Sequence, residues 1–449
     1  MNGKYSLDMT KGPFLKKIIL YSIPLILSGL LQLVYNTADI IVVGRFAGTQ
    51  SLAAVGATSN IVALIFNLFI GLSTGACAIV AKHIGAKDEE KISESSHTSI
   101  ALGIVCGLIC GSIGFFFARP ILILFDTPSD ILDLSTLYLK IFFCGAPASL
   151  IYNFGSSVVR ATGDTKRPLY ILLFSGIFNI GLNLLFVIVF NMGVAGVATA
   201  TIVSQYISAV LILAIMHKLR NGCRLYFRKI RLRKKVLSEI LYIGIPAGLQ
   251  SVLFSLSNNI IQAAINSFGS NVVAGVTAGS NYESYIFTCA NAFAITAMTF
   301  SSQNYGAKEY KNMGKVLTSC VFLTCVVGLS MCAVGYFFPK TIIGLFSTDD
   351  AVIAAGAERL VFIMKSYIFC CLMNLMCGQI RGMGRSIEPL VISLLGACGL
   401  RILWIYTVFA ANRTLITLYW SYPMSWCITF VVYIIYYYVL KRKINKVNA

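Results

Sequence analysis

Asp39 is the residue best placed to do chemistry in this sequence. It lies in LVYNTADIIV, residues 33–42, inside an apolar run covering 15–44. Ser28, Gln32, Tyr35, Asn36 and Asp39 follow one another at i, i+4, i+7, i+8 and i+11, which sets them along one face of a helix. A carboxylate in hydrocarbon costs about 2.5–3.5 kcal/mol on insertion, so it faces a cavity, is paired, or is protonated. Asp39 stands five residues from the outer end of its run, or roughly 8 Å at about 1.5 Å per residue. Such a group can take up and release a proton or a small cation.

Partners are available further along the chain. Asn179 and Asn183 in FNIGLNLLFV (178–187) are four apart and share a helix face. Thr199 and Thr201 follow in GVATATIVSQ. Asparagines and threonines also glue membrane helices together without further function. The second acid inside an apolar run is Glu283, in AGSNYESYIFTCANAF, about ten residues into its span and so near mid-bilayer. It either binds a cationic substrate or pairs with Lys365 or Arg401 as a structural ion pair. Gln32, Tyr35, Tyr282, Tyr367, Lys365 and Arg401 are placed with Glu283 at a substrate cleft. There Phe287, Met364, Met373 and Met376 would add stacking surface for flat cations; at helical spacing the same residues also pack cores.

Twelve apolar stretches must position these groups: 15–44, 52–81, 96–118, 131–155, 168–190, 194–217, 237–266, 272–300, 316–338, 356–380, 388–410 and 415–440. Each is long enough to cross a hydrocarbon core, which takes about 20 residues. Hydrophobic residues make up 57% of the 449-residue chain and charged ones 12%, about half the charged share of a soluble domain. The run after Lys4, Lys11, Lys16 and Lys17 is too long for a signal-peptide core and stays as the first span.

With the N-terminus inside, 28 of the 36 basic residues fall on the inner side, five in outer loops (Arg45, Arg119, Lys340, Arg359, Arg413) and three in spans (Lys140, Lys365, Arg401). That bias sets topology. The net charge of +19 is thus a membrane signal, and nucleic acid is not expected as a partner. The densest run, 217–235, would lie against anionic inner-leaflet lipid or simply be solvated. The 14 cysteines are scattered, with no C-x-x-C pair, and read as small buried apolar residues; His83, His97 and His217 sit at helix ends and read as solvated. No metal site and no cofactor are expected.

The chain repeats itself. HIGAKDEEK (83–91) returns as NYGAKEYKN (304–312) and RATGDTKRP (160–168) as RGMGRSIEP (381–389), both 221 residues on; IPLILSGLLQLVYN (23–36) returns as IPAGLQSVLFSLSN (245–258) at 222. Six spans therefore occur twice, and since six is even both halves enter the membrane from the same side. The expected fold is all-α and integral to the membrane: twelve transmembrane helices in two parallel six-helix bundles around a central cleft. The expected parts are residues 1–217, a basic cytoplasmic linker at 218–236, and 237–449.

The loop between spans two and three reads KHIGAKDEEKIS and lacks the motif of major facilitator transporters. The G-A-K loop pair, the R-x-x-G turns after spans four and ten, and YNTAD in span one resemble the multidrug and toxic compound extrusion (MATE) family over essentially the whole chain. The resemblance implies a secondary active antiporter that exchanges H⁺ or Na⁺ for amphipathic, cationic organic compounds or drugs by alternating access. It implies a cation site of Asp39, Asn179 and Thr201, with Asn36 and Asn183 beside them. Where the family often carries an aspartate four residues after that asparagine, this chain has Asn183, so one negative charge remains. Ile261 matches Asp39 in the second half, and Ser255 and Cys371 stand near where the family has further acids. Pro24, which lacks an N–H, is the expected bending point of span one.

A flippase for lipid-linked oligosaccharides, from the same superfamily, is the alternative. An enzyme is not expected, since neither a nucleotide-binding loop nor a D-D-x-x-D cluster is present. The expected setting is a bacterial cytoplasmic membrane crossed many times, with both termini inside, the chain monomeric, and small molecules and membrane lipid as its partners.

Overall fold

In the computed structural model, which describes residues 7–447, the expected spans all form helices. The first six are α1 (Phe14–Ala47), α2 (Thr49–Ala86), α3 (Glu89–Phe116), α4 (Leu132–Cys144 and Ala146–Ala161), α5 (Lys166–Val189) and α6 (Gly193–His217). The second six are α7 (Lys234–Asn266), α8 (Ser270–Gly306), α9 (Tyr310–Phe337), α10 (Asp350–Met364 and Tyr367–Gly382), α11 (Ile387–Phe409) and α12 (Leu415–Ile444). No strand occurs among the described residues. Among the described residues nine helices are long and apolar enough to span a membrane alone, and α4 and α10, bent by 45° and 54°, make eleven. The twelfth, α8, has the length but not the apolarity. Its inner face, with Gly275, Gly279, Glu283 and an almost unbroken buried run over 289–304, meets protein, so it needs less of the apolar surface that lipid demands.

The duplication is written in the backbone. Left-handed residues pair across the halves: Gly48 with Gly269, Lys87 with Lys308, and Gly163 with Gly384, each pair 221 residues apart. The break in α4 at Gly145 has its counterpart at Ser366 in α10. A short helix precedes each bent span, Ala118–Leu124 and Pro339–Gly344. Turns, breaks and helix starts thus recur even where side chains have diverged.

The chain forms two compact units, which cut across the chain halves. One is built mainly from Ile23–Gly248, the other from Met9–Ser22 and Leu249–Ala449. The first half of α7 joins the first unit because small residues let backbones touch. A Cβ on Gly71 would lie 2.2 Å from the Cα of Gly248, and one on Gly75 would lie 2.7 Å from the N of Gly244. These two small-x-x-x-small pairs bring α2 and α7 into van der Waals contact, the packing that replaces hydrophobic association in lipid.

Two loop expectations need correction. His83 and His97 are buried, at 4% and 2% exposure, rather than solvated. The His97 ring accepts the Tyr226 N–H at 3.0 Å and stacks on that tyrosine, while Arg233 pairs with Glu94 at 3.4 Å. The basic linker is therefore docked on the end of α3. All fourteen cysteines are free thiols and most are buried; in the linker, burial pushes the Cys223 thiol up to about 12.

Candidate functional site

A cavity of about 180 Å³ lies within the first unit, among α1, α4, α5 and α6. Gln32, Tyr35, Asn36 and Asp39 of α1 line it, with Asn179 of α5 and Thr201 of α6. The one-face spacing read along span one thus points into protein. Asp39 is its only ionisable carboxylate, and no lysine or arginine lines it. Gln32 and Tyr35, expected at a substrate cleft, share this cavity with Asp39 instead.

Asn183 does not line the cavity but holds the carboxylate from behind. Its Nδ2 donates to Asp39 Oδ1 at 2.5 Å and reaches Asn179 Oδ1 at 3.3 Å. Four-residue spacing on α5 brings both asparagines to α1 together. An aspartate at 183 would set a second negative charge against Asp39; the amide supplies a donor in its place. Thr201 Oγ1 donates to the Val197 carbonyl one turn earlier, which leaves the oxygen free to accept. Thr199 does the same toward Ala195 and does not line the cavity.

An apolar cluster lies next to these polar residues along the same helices. The next helical turn beyond each polar residue is a valine: Val42 and Val43 after Asp39, Val187 after Asn183, and Val197 before Thr201. With Val55 these five residues form one small apolar cluster. Both α1 and α5 pass into π-helical turns there, at Val43–Ala47 and Leu185–Val189, a local widening common at functional sites. Pro24 sits within a continuous α1, and Ser28 Oγ donates to the Pro24 carbonyl at 2.7 Å. In the opposite direction lie residues that sequence reasoning missed: Ser149, Tyr152 and Asn153 of α4, Ser175 of α5, and Ser204, Gln205 and Ser208 of α6. The 204–208 spacing on span six was the signal available for the last three.

Tyr35 is seated by a glycine. A Cβ on Gly176 would fall 2.0 Å from its ring, and the Tyr35 hydroxyl donates to the Leu173 carbonyl at 3.4 Å. Gly176→Ala is expected to push Tyr35 out of place, costing about 1–3 kcal/mol of stability. Gly181→Ala, on the same helix with nothing within 4 Å, should do neither. Thermal unfolding of the two variants checks this; equal midpoints would show that Gly176 does not seat Tyr35.

In the second unit Glu283 is 9% exposed and held by Arg359, not by Lys365 or Arg401. Arg359 Nε donates to Oε1 at 3.1 Å and Nη2 to Oε2 at 3.2 Å, a two-pronged geometry specific to guanidinium and carboxylate. Arg359 is thus a buried residue of α10 at 2% exposure, although the topology count places it with the outer loops. Arg401 is buried separately: Nε donates to Ser425, Nη1 to Asn258, and its plane lies over Tyr422 at 4.7 Å. Lys365 is exposed at the break in α10. Tyr282 and Tyr367 donate to the carbonyls of Met331 and Glu283, and Met364, Met373 and Met376 belong to the buried core. No cluster of three or more histidine, cysteine or acidic residues suited to a metal occurs among the described residues.

The MatE family model matches the chain twice, over residues 24–185 and 246–407. This chain belongs to the MATE family. The two matched segments are the two halves of the internal repeat. The probable multidrug resistance protein YpnP of Bacillus subtilis is 30% identical over 88% of this MATE chain and 88% of its own length. YoeA of the same organism, also described as a probable multidrug resistance protein, is 26% identical over 95% and 94%. The multidrug export protein MepA of Staphylococcus aureus is 24% identical over 86% and 85%. Among solved structures, the outward-facing conformation of a multidrug resistance MATE family transporter gives a TM-score of 0.92 at 20% identity, covering 99% of this chain and 100% of that one. The protein therefore has the MATE fold and crosses the membrane many times.

Proposed function

We propose that this MATE protein exports amphipathic organic cations in exchange for one H⁺ or one Na⁺ bound at Asp39. The observation that carries the reading is the single carboxylate in a polar cavity without a basic neighbour. A lone, half-buried carboxylate is stabilised by taking up one monovalent cation, and a proton or sodium ion meets that demand. Asn183, Asn179 and Thr201 supply neutral dipoles that orient the group without cancelling its charge. The multidrug resistance and export names of the relatives support the substrate class.

In this reading the N-terminus and the basic loops face the cytoplasm, as the charge bias requires. Ion binding at Asp39 changes the packing of α1 against α5, and release of the ion inward resets it. The flippase alternative needs basic residues gathered to hold a pyrophosphate. Arg401, at 1% exposure inside an aromatic cage, is not free for that task.

Everted vesicles with the pH and sodium gradients imposed separately test the coupling. Dye uptake driven by one gradient alone names the ion. Uptake that follows neither gradient would overturn the proposal.

A further inference from the structure

A second cavity, of about 450 Å³, lies in the second unit, between the first segment of α10, the start of α12 and the short helix Pro339–Gly344. Ligand pockets commonly hold about 300–1,000 Å³. Its floor is one face of α10: Ala354, Ala357, Glu358, Val361, Phe362 and Lys365 recur at i, i+3, i+4, i+7, i+8 and i+11. Ile416 and Tyr419 form an apolar wall, and Lys340 stands at the end formed by the short helix. The groove is thus apolar along its length and charged at three points.

None of those three charges is answered by protein. Lys340, Glu358 and Lys365 are all exposed and form no ion pair among the described residues. Lys365 has only the Tyr336 ring, 5.9 Å from its Nζ. The first half of the repeat treats the matching place differently. There Arg119, the counterpart of Lys340, is closed by Asp133 at 2.5 Å. The counterpart of Asp133 is Ala354, and Lys365 stands where the first half has Cys144. The second half carries its acid and its lysine one helical turn later, at Glu358 and Lys365 against Asp133 and Lys140, and there the acid no longer closes on the cation of the short helix.

Two lysines and one glutamate leave a formal charge of +1 in an apolar groove on a chain that lives in lipid. An occupant with one negative charge, an acyl chain for the α10 face and hydroxyls for Glu358 satisfies all three features. We propose that this groove binds a monoanionic phospholipid of the phosphatidylglycerol type, with its phosphate between Lys340 and Lys365 and its diol toward Glu358. A zwitterionic lipid leaves the +1 unanswered, and a soluble phosphate leaves the apolar face uncovered. The site is separate from the Asp39 cavity and does not depend on the transport reading.

The test uses the full-length protein in detergent, titrated with phosphatidylglycerol, phosphatidylethanolamine, phosphatidylcholine and glycerol phosphate. Thermal unfolding and native mass spectrometry are the readouts. Phosphatidylglycerol should raise the midpoint by several degrees and be retained about tenfold better than the choline lipid. Lys340→Gln with Lys365→Gln should lose that preference, and Lys441→Gln with Lys443→Gln should leave the preference unchanged. The substituted residues are exposed, so these variants should fold, which circular dichroism checks. Equal retention of the ethanolamine or choline lipid, an equal shift with glycerol phosphate, or a preference that survives loss of both lysines would each overturn the assignment.

Discussion

Asp39→Asn is expected to abolish uphill export while leaving the protein folded. A gradient of two pH units, at about 1.4 kcal/mol per unit, sustains about a hundredfold accumulation if one proton exchanges for one monovalent cation. Without the carboxylate that ratio should fall to about one. The amide is isosteric, keeps an acceptor oxygen for the Asn183 N–H now bonded at 2.5 Å, and removes the cost of burying a charge. Expression and melting temperature should therefore hold or rise. Dye accumulation in everted vesicles measures the ratio, and a variant that still concentrates dye would remove Asp39 from the coupling site.

Glu283→Gln should produce the largest loss of stability. It leaves the Arg359 guanidinium, 2% exposed, without its carboxylate, and breaking one side of a buried pair costs about 3–5 kcal/mol. Adding Arg359→Met should recover most of that loss, because an apolar replacement for the whole pair is often neutral or stabilising. The double variant also tests charge count. Both carboxylate oxygens of Glu283 accept from Arg359, so in the proposed mechanism it is half of a structural ion pair and not a coupling group. One proton then exchanges for one monovalent cation, no net charge crosses, and a membrane potential should do almost nothing. Proteoliposomes holding a potassium–valinomycin potential at zero pH gradient decide the point. Uphill transport in wild type that is lost in the folded double variant would make Glu283 a second coupling acid.

Much of this was legible in the sequence because membranes impose simple rules. Apolar length marks the spans, and the polar stripe of α1 already faces the residues of its cavity. The four-residue spacing of Asn179 and Asn183 requires them to act together. The repeat could be read from turn motifs, since left-handed turns at Gly163 and Gly384 restrict sequence strongly. The missed cavity residues are serines, a tyrosine, a glutamine and an asparagine, which are also the ordinary glue of helix packing; nothing in their type separates the two uses.

The sequence by itself determined the solvent, the number of helices, the duplication and which face of α1 is polar, because each depends on a period or a length along one chain segment. Tertiary structure alone decided the partners. Lys365 and Arg359 lie six residues apart on α10, roughly 240° around a helix of 3.6 residues per turn, and only one of them can reach α8. Hydropathy cannot choose between them, since either cation is equally costly in lipid. Packing chooses: the rotation of α10 buries Arg359 against Glu283 and turns Lys365 outward, just as the fit of Tyr35 against Gly176 and the closeness of α2 and α7 depend on glycines brought together from distant parts of the chain.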